Sequence, residues 1–298
     1  MPSTLVVRKI AFAGAVIALT VAAGVAAGAH VNAVNPTLSD AQSLFFNARY
    51  DTSAALALEL RNADPDDLAI WELRTSGLLF QIKAALGEKS DKDKAFKQCA
   101  VCPDLLTTFV SDVRQGTALA RARLKSSPDD DVARFFLGKI NLNYVWLQLG
   151  PLGRKTGWDE YWEARHSLDA VLKRNPTDVR ARVARAWIDY IVDTKMPFGT
   201  KWLLGGGNRK RAVLTIQDAA KADADFFVHA EARFALWDLQ VRERNVPAAV
   251  AVARGLAVDF PENPELAKYL DAHDSTAAAP HASEATRPPA AASSTAER

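Results

Sequence analysis

Cys99 and Cys102 are the only cysteines of the chain, and their C-x-x-C spacing is the first place to look for chemistry. Such a pair can close a small-loop disulfide, act as a redox couple or supply half of a metal site. Its surroundings separate these options. A thioredoxin-like couple needs a strand-helix-strand unit, and the flanking pattern offers none. Haem attachment needs His directly after the second cysteine, where Pro103 stands. Zinc needs further ligands, yet His30, His166, His229, His273 and His281 are scattered, with no pair spaced i, i+4. The leading expectation is a structural disulfide between Cys99 and Cys102, with no metal and no cofactor.

Other chemistry-bearing stretches fare no better. His229-Ala230-Glu231 has the H-x-E spacing of zinc deaminases, but the cysteine pair lies upstream of it and the proline follows the pair, so the order is wrong. Gly205-Gly206-Gly207-Asn208-Arg209-Lys210 places flexible backbone and positive charge at a helix start, a geometry that can hold an anion. A tight turn entering the helix is the simpler reading, because glycine runs mark turns first. Gly153-Arg154-Lys155-Thr156 lacks the glycine spacing and the preceding strand of a phosphate loop. No nucleophile elbow and no acid-base pair appears, so the expectation is a protein that is not an enzyme.

The elements that carry these residues read as helices throughout. Hydrophobic residues make up 49% of the 298, enough for a sizeable core, and alternating strand-like runs are scarce. Lys+Arg at 37 nearly balance Asp+Glu at 35, which gives no nucleic-acid signature. Residues 1–33 stand apart: Arg8 and Lys9 precede a charge-free stretch, Ile10 to Ala29, that ends in small residues. This reads as a secretory signal peptide or, if uncleaved, as an N-terminal membrane anchor, and either way the body is exported, periplasmic or secreted. Residues 275–298, rich in Ala, Pro, Ser and Thr, read as a disordered tail.

Between them, residues 34–274 are punctuated by Pro65, Pro128, Pro176 and Pro261. Each closes an apolar helical run, and Asp66, Asp129, Asp178 or Glu262 after it is placed to cap the next helix. Twelve residues before each proline stands a small side chain, Ser53, Gly116, Ala164 or Ala249, which lets two helices approach closely. The runs pair into five hairpins: 38–49 with 52–62, 67–86 with 103–125, 130–149 with 158–174, 177–194 with 208–221, and 226–244 with 246–259. A short polar helix, 264–272, closes the series. The fold class expected is all-α, an α-solenoid of about five helix hairpins plus a C-terminal capping helix.

The third hairpin carries a family resemblance. Leu137-Gly138 on its first helix, with Ala164, Leu168 and Pro176 on its second, follow the order of the tetratricopeptide repeat (TPR). Tyr50, Ala57 and Pro65 match the pattern in the first hairpin, and Ala249, Ala253 and Pro261 in the fifth. The chain thus resembles a degenerate TPR protein over roughly residues 38–272; its prolines fall at unequal intervals, where the family repeats about every 34 residues. The resemblance implies a non-catalytic scaffold that holds a peptide or helix in a concave groove, and the register at Gly138 turns Phe135, Lys139 and Asn143 toward that side.

The surplus residues fall in three loops, Gly87 to Cys102, Gly150 to Gly157 and Lys195 to Gly207, each inside its own hairpin. Turns in that position emerge from one edge of a stack. The composite surface they build includes Arg154, Lys155, Trp158, Trp202, Arg209, Lys210 and Arg211, with Phe198 among them, so a basic, aromatic edge is expected as a second contact. A protein partner in the cell envelope is the leading functional expectation. A periplasmic small-ligand carrier or transporter accessory is the alternative, and membrane contact is expected only through the N-terminal segment.

Overall fold

The structure, a computed structural model, describes residues 36–277 apart from 197, 198 and 200. The N-terminal segment 1–33, Phe198 and the tail from residue 278 lie outside the described residues. Everything described is helix or connection, with no strand: α1 Leu38–Phe46, α2 Tyr50–Ala63, α3 Leu68–Leu86, α4 Lys92–Gln98, α5 Cys102–Ser126, α6 Asp131–Leu149 and α7 Trp158–Arg174 come first. Then follow α8 Val179–Lys195, a 3-10 turn Lys201–Leu204, α9 Arg209–Ala219, α10 Phe226–Arg242, α11 Val246–Asp259 and α12 Pro264–Ala277. No described helix is long and apolar enough to cross a membrane.

Two elements fall inside stretches read from sequence as loops. Helix α4 forms because Asp91 caps it, its carboxylate accepting from the Lys94 N–H, while Ala95 is buried beneath. The 3-10 turn forms around Leu204, whose side chain is buried. Helix α12 in turn extends three residues into the segment read as tail.

The four proline turns share one construction. Helices α2, α5, α7 and α11 end at residues with nearly the same extended backbone, Asp64 (φ −135°, ψ 85°), Ser127 (−135°, 82°), Asn175 (−125°, 85°) and Phe260 (−131°, 68°). Proline follows in each case, as its bias against helix in the preceding residue requires. The next helix is then capped by Asp67, Asp130, Asp178 or Asn263. At three of the four turns the cap is one residue beyond the position expected from sequence, since the turn takes two residues after the proline.

Small residues set the helix spacing. A Cβ on Gly138 of α6 would come 3.1 Å from Leu168 Cγ and 3.3 Å from the Ala164 carbonyl oxygen on α7. One on Gly116 of α5 would meet Ile140 Cδ1 at 3.0 Å and Trp71 Cβ at 3.2 Å. Ser53, Ala164 and Ala249 are all fully buried. Most helices therefore pack on the next along the chain, α3 packs on α5 and α6 as well, and α8 on α10. A buried ion pair ties three of them: Asp112 of α5 accepts from Arg74 Nε of α3 at 2.6 Å and from Arg61 Nη1 of α2 at 2.7 Å.

The first hairpin also meets the last. Phe46 at the end of α1 stacks on Phe227 and Phe234 of α10 at 6.0 and 5.3 Å, and lies 5.3 Å from Phe260. Asn263 donates its amide to the Phe46 carbonyl at 2.7 Å, and the Tyr50 hydroxyl bonds Glu265 Oε1 at 3.2 Å. Aromatic contacts of this kind add about 0.5–1.5 kcal/mol each beyond the area they bury. They join the two ends of the described chain.

Candidate functional site

The face expected to be an open groove is filled by the protein itself. Four charged side chains converge there, one each from α3, α6, α8 and α10: Glu72, Lys139, Arg180 and Glu231. Lys139 Nζ lies 2.6 Å from Glu231 Oε1 and 3.8 Å from Glu72 Oε1. Arg180 donates from Nε to Glu231 Oε2 at 2.6 Å and from Nη2 to Glu72 Oε2 at 3.3 Å. The Arg180 guanidinium also lies over the Phe135 ring at 4.7 Å and the Phe136 ring at 5.4 Å. Two cations and two carboxylates leave no net charge, which is what makes their burial tolerable. Burial pushes the Glu231 carboxyl up, but Arg180 and Lys139 outweigh it and hold it down at about 2.

Asn143 completes this interior. Its amide donates to Thr75 Oγ1 and Ser76 Oγ, both at 3.0 Å, and Ser76 passes a hydrogen bond to Glu72 Oε1 at 2.9 Å. Phe135, Lys139 and Asn143 do turn inward, and there they meet α3, α8 and α10 of their own chain. Glu72 and Arg180 escaped sequence reasoning, and Glu231 entered it only as part of the deaminase-like triplet. The available signal was a charge at the inward position of each of four successive first helices.

The turn edge is different. Its first two loops touch: the Arg154 guanidinium lies 5.4 Å from the Phe96 ring centre of α4, and Gly153 (φ 63°) packs against Lys92. The third loop lies on α7, where Tyr161 donates its hydroxyl to the Leu204 carbonyl at 2.8 Å and Arg165 donates to the Gly205 carbonyl at 2.8 Å. Trp158, which opens α7, is 45% exposed; Trp202 is 73% and Leu203 54% exposed in the neighbouring 3-10 turn. Lys155, Lys210 and Arg211 are exposed and have no acidic partner among the described residues. Arg209 is committed instead, pairing with Glu243 at the end of α10.

The glycine run resolves as packing. A Cβ on Gly207 would fall 2.6 Å from both the Asp189 carbonyl oxygen and the Asp193 backbone nitrogen, so only glycine fits against α8. The anion that the α9 start would attract is already present within the chain. Asp193 takes Lys201 Nζ and the Arg209 backbone N–H (2.8 Å), and these two bonds, in that order, hold its carboxyl below the usual range.

The remaining chemical candidates are structural in their contacts. Cys99 and Cys102 stand at disulfide distance, 2.03 Å between sulfurs, joining the end of α4 to the start of α5, with Cys102 buried beside Phe109 and Leu152. His229 bonds the Ala220 carbonyl at 2.9 Å. Among the described residues no three His, Cys, Asp or Glu side chains gather as a metal site requires. Comparison with protein-family models, curated proteins and solved structures finds no match to this chain.

Proposed function

We propose that the chain is a non-catalytic interaction scaffold of the cell envelope, a degenerate TPR-like stack of helix hairpins that takes a protein partner along its turn edge. The proline turn, built the same way four times, and the close Gly138–Ala164 approach, at positions that carry the resemblance, support the repeat reading. The envelope location rests on the sequence of residues 1–33. One observation carries the partner site: large aromatic side chains, Trp158 and Trp202, stand exposed among turn-edge residues that include the exposed Lys155 and Lys210, while the inner face is taken up by Glu72, Lys139, Arg180 and Glu231. Exposed aromatics ringed by charge are what interface cores are made of.

The contact therefore belongs on the edge rather than in the groove, and the partner surface is acidic with an apolar centre. The test is capture of partners by full-length protein from its native envelope, comparing the wild type with a Trp158→Ala, Trp202→Ala double variant. A specific partner retained by the wild type and lost by a variant with unchanged helicity is expected. A partner held equally by both removes the edge from the account.

A further inference from the structure

A second concave feature lies away from the turn-edge tryptophans. Helices α7, α8 and α9 enclose a cleft of about 580 Å³. Lys173, Arg182, Arg185 and Arg211 line it, against two carboxylates, Asp169 and Asp189. Both carboxylates are engaged by Arg185, at 2.6 Å each. The Arg185 Nη1 contact to Asp189 is angled so that its buried N–H makes no hydrogen bond. Lys173, Arg182 and Arg211 have no acidic partner among the described residues.

Several other arginines of the chain are paired with carboxylates. Arg61 and Arg74 share Asp112, Arg121 takes Glu163, Arg174 takes Asp129 and Asp131, and Arg233 takes Asp259. Three unpaired cations gathered around one cleft repel each other, and the repulsion is relieved by an anion. Arginine forks suit the planar or tetrahedral oxygens of carboxylate and phosphate. Thr215 adds a hydroxyl to the lining, and Leu172 and Ala212 provide apolar wall.

We propose that this cleft binds the oxyanionic group, phosphate or carboxylate, of a small ligand. Arg182 and Arg211 grip the group, Lys173 adds charge, and the Asp169–Arg185–Asp189 chain fixes the floor. The cleft shares Arg211 with the turn edge, but neither Trp158 nor Trp202 lines it, so the tryptophan variants leave its lining intact.

Titration of the full-length protein with inorganic phosphate, and separately with succinate, tests this at low ionic strength. Saturable binding of at least one probe is expected, weakened tenfold or more by Arg182→Gln and by Arg211→Gln, and left unchanged by Lys94→Gln on the exposed face of α4. Phosphate alone binding identifies a phosphate ligand; succinate alone identifies a carboxylate. No saturable binding of either probe, or binding kept within twofold by both arginine variants with helicity unchanged, overturns the proposal.

Discussion

Lys139 of α6 and Glu231 of α10 lie 92 residues apart in sequence and 2.6 Å apart in space. Their contact, shared with Arg180 and Glu72, closes the inner face on itself. Removing Glu231 leaves Arg180 and Lys139 to share the single carboxylate of Glu72, and an uncompensated buried charge is the costly way to break such a cluster.

The pH dependence follows from Glu231. Its carboxyl titrates at about 2 in the folded protein against an ordinary 4.5, so its contribution is complete above about pH 4.5 and is lost as the pH falls toward 2. The size of the depression corresponds to about 3 kcal/mol. Glu231→Gln should therefore cost about that much at pH 7, and the gap to the wild type should narrow as the pH drops from 5 toward 2. Urea denaturation at several pH values measures this; a gap that is the same at pH 7 and pH 2.5 would place Glu231 outside the network.

The approach of α6 and α7 at Gly138 and Ala164 makes a packing prediction. Ala164 is fully buried against α6, and no space exists for a larger side chain. Ala164→Trp should lose about 1–3 kcal/mol or more, read as a lower thermal midpoint. Unchanged melting would mean that the two helices do not meet there.

The disulfide closes a loop with a sequence separation of only 3. Chain entropy for so short a loop contributes about 2 kcal/mol. Reduction, or Cys99→Ser with Cys102→Ser, should lower the melting temperature by a few degrees while leaving the helical content intact. Loss of the whole fold on reduction would show that α4 and its bond do far more than hold one end of α5.

The aromatic junction at Phe46 couples the two ends of the chain. Phe46→Ala should cost about 2–4 kcal/mol and raise amide exchange in α10 and α12 as well as in α1. Faster exchange confined to α1 and α2 would mean that the first hairpin contributes nothing to holding the last.

Helix existence was legible because apolar spacing and proline punctuation are local. Pro65, Pro128, Pro176 and Pro261, and the small residues twelve before them, marked turns and interfaces that the structure contains. Local signals failed where competition was close. Asp66 and Asp67, or Asp129 and Asp130, are equally good caps, and only the length of the proline turn chooses the second. Helix α4 was missed because seven residues rich in lysine show little periodicity. Glu72 and Arg180 were out of reach for another reason: whether a charge on a helix face meets solvent or a partner depends on the curvature that brings α3 to α8, which no local pattern encodes. The same curvature joins α1 to α10.

The central claim is that contact with a partner occurs at the turn edge. It is tested most directly by a photo-crosslinking residue placed at Trp202 and, as control, at Val258, which is 80% exposed near the end of α11 at the opposite edge. In cells a discrete crosslinked species is predicted from position 202 and none from position 258. The same species from both positions, or one from position 258 alone, would contradict it.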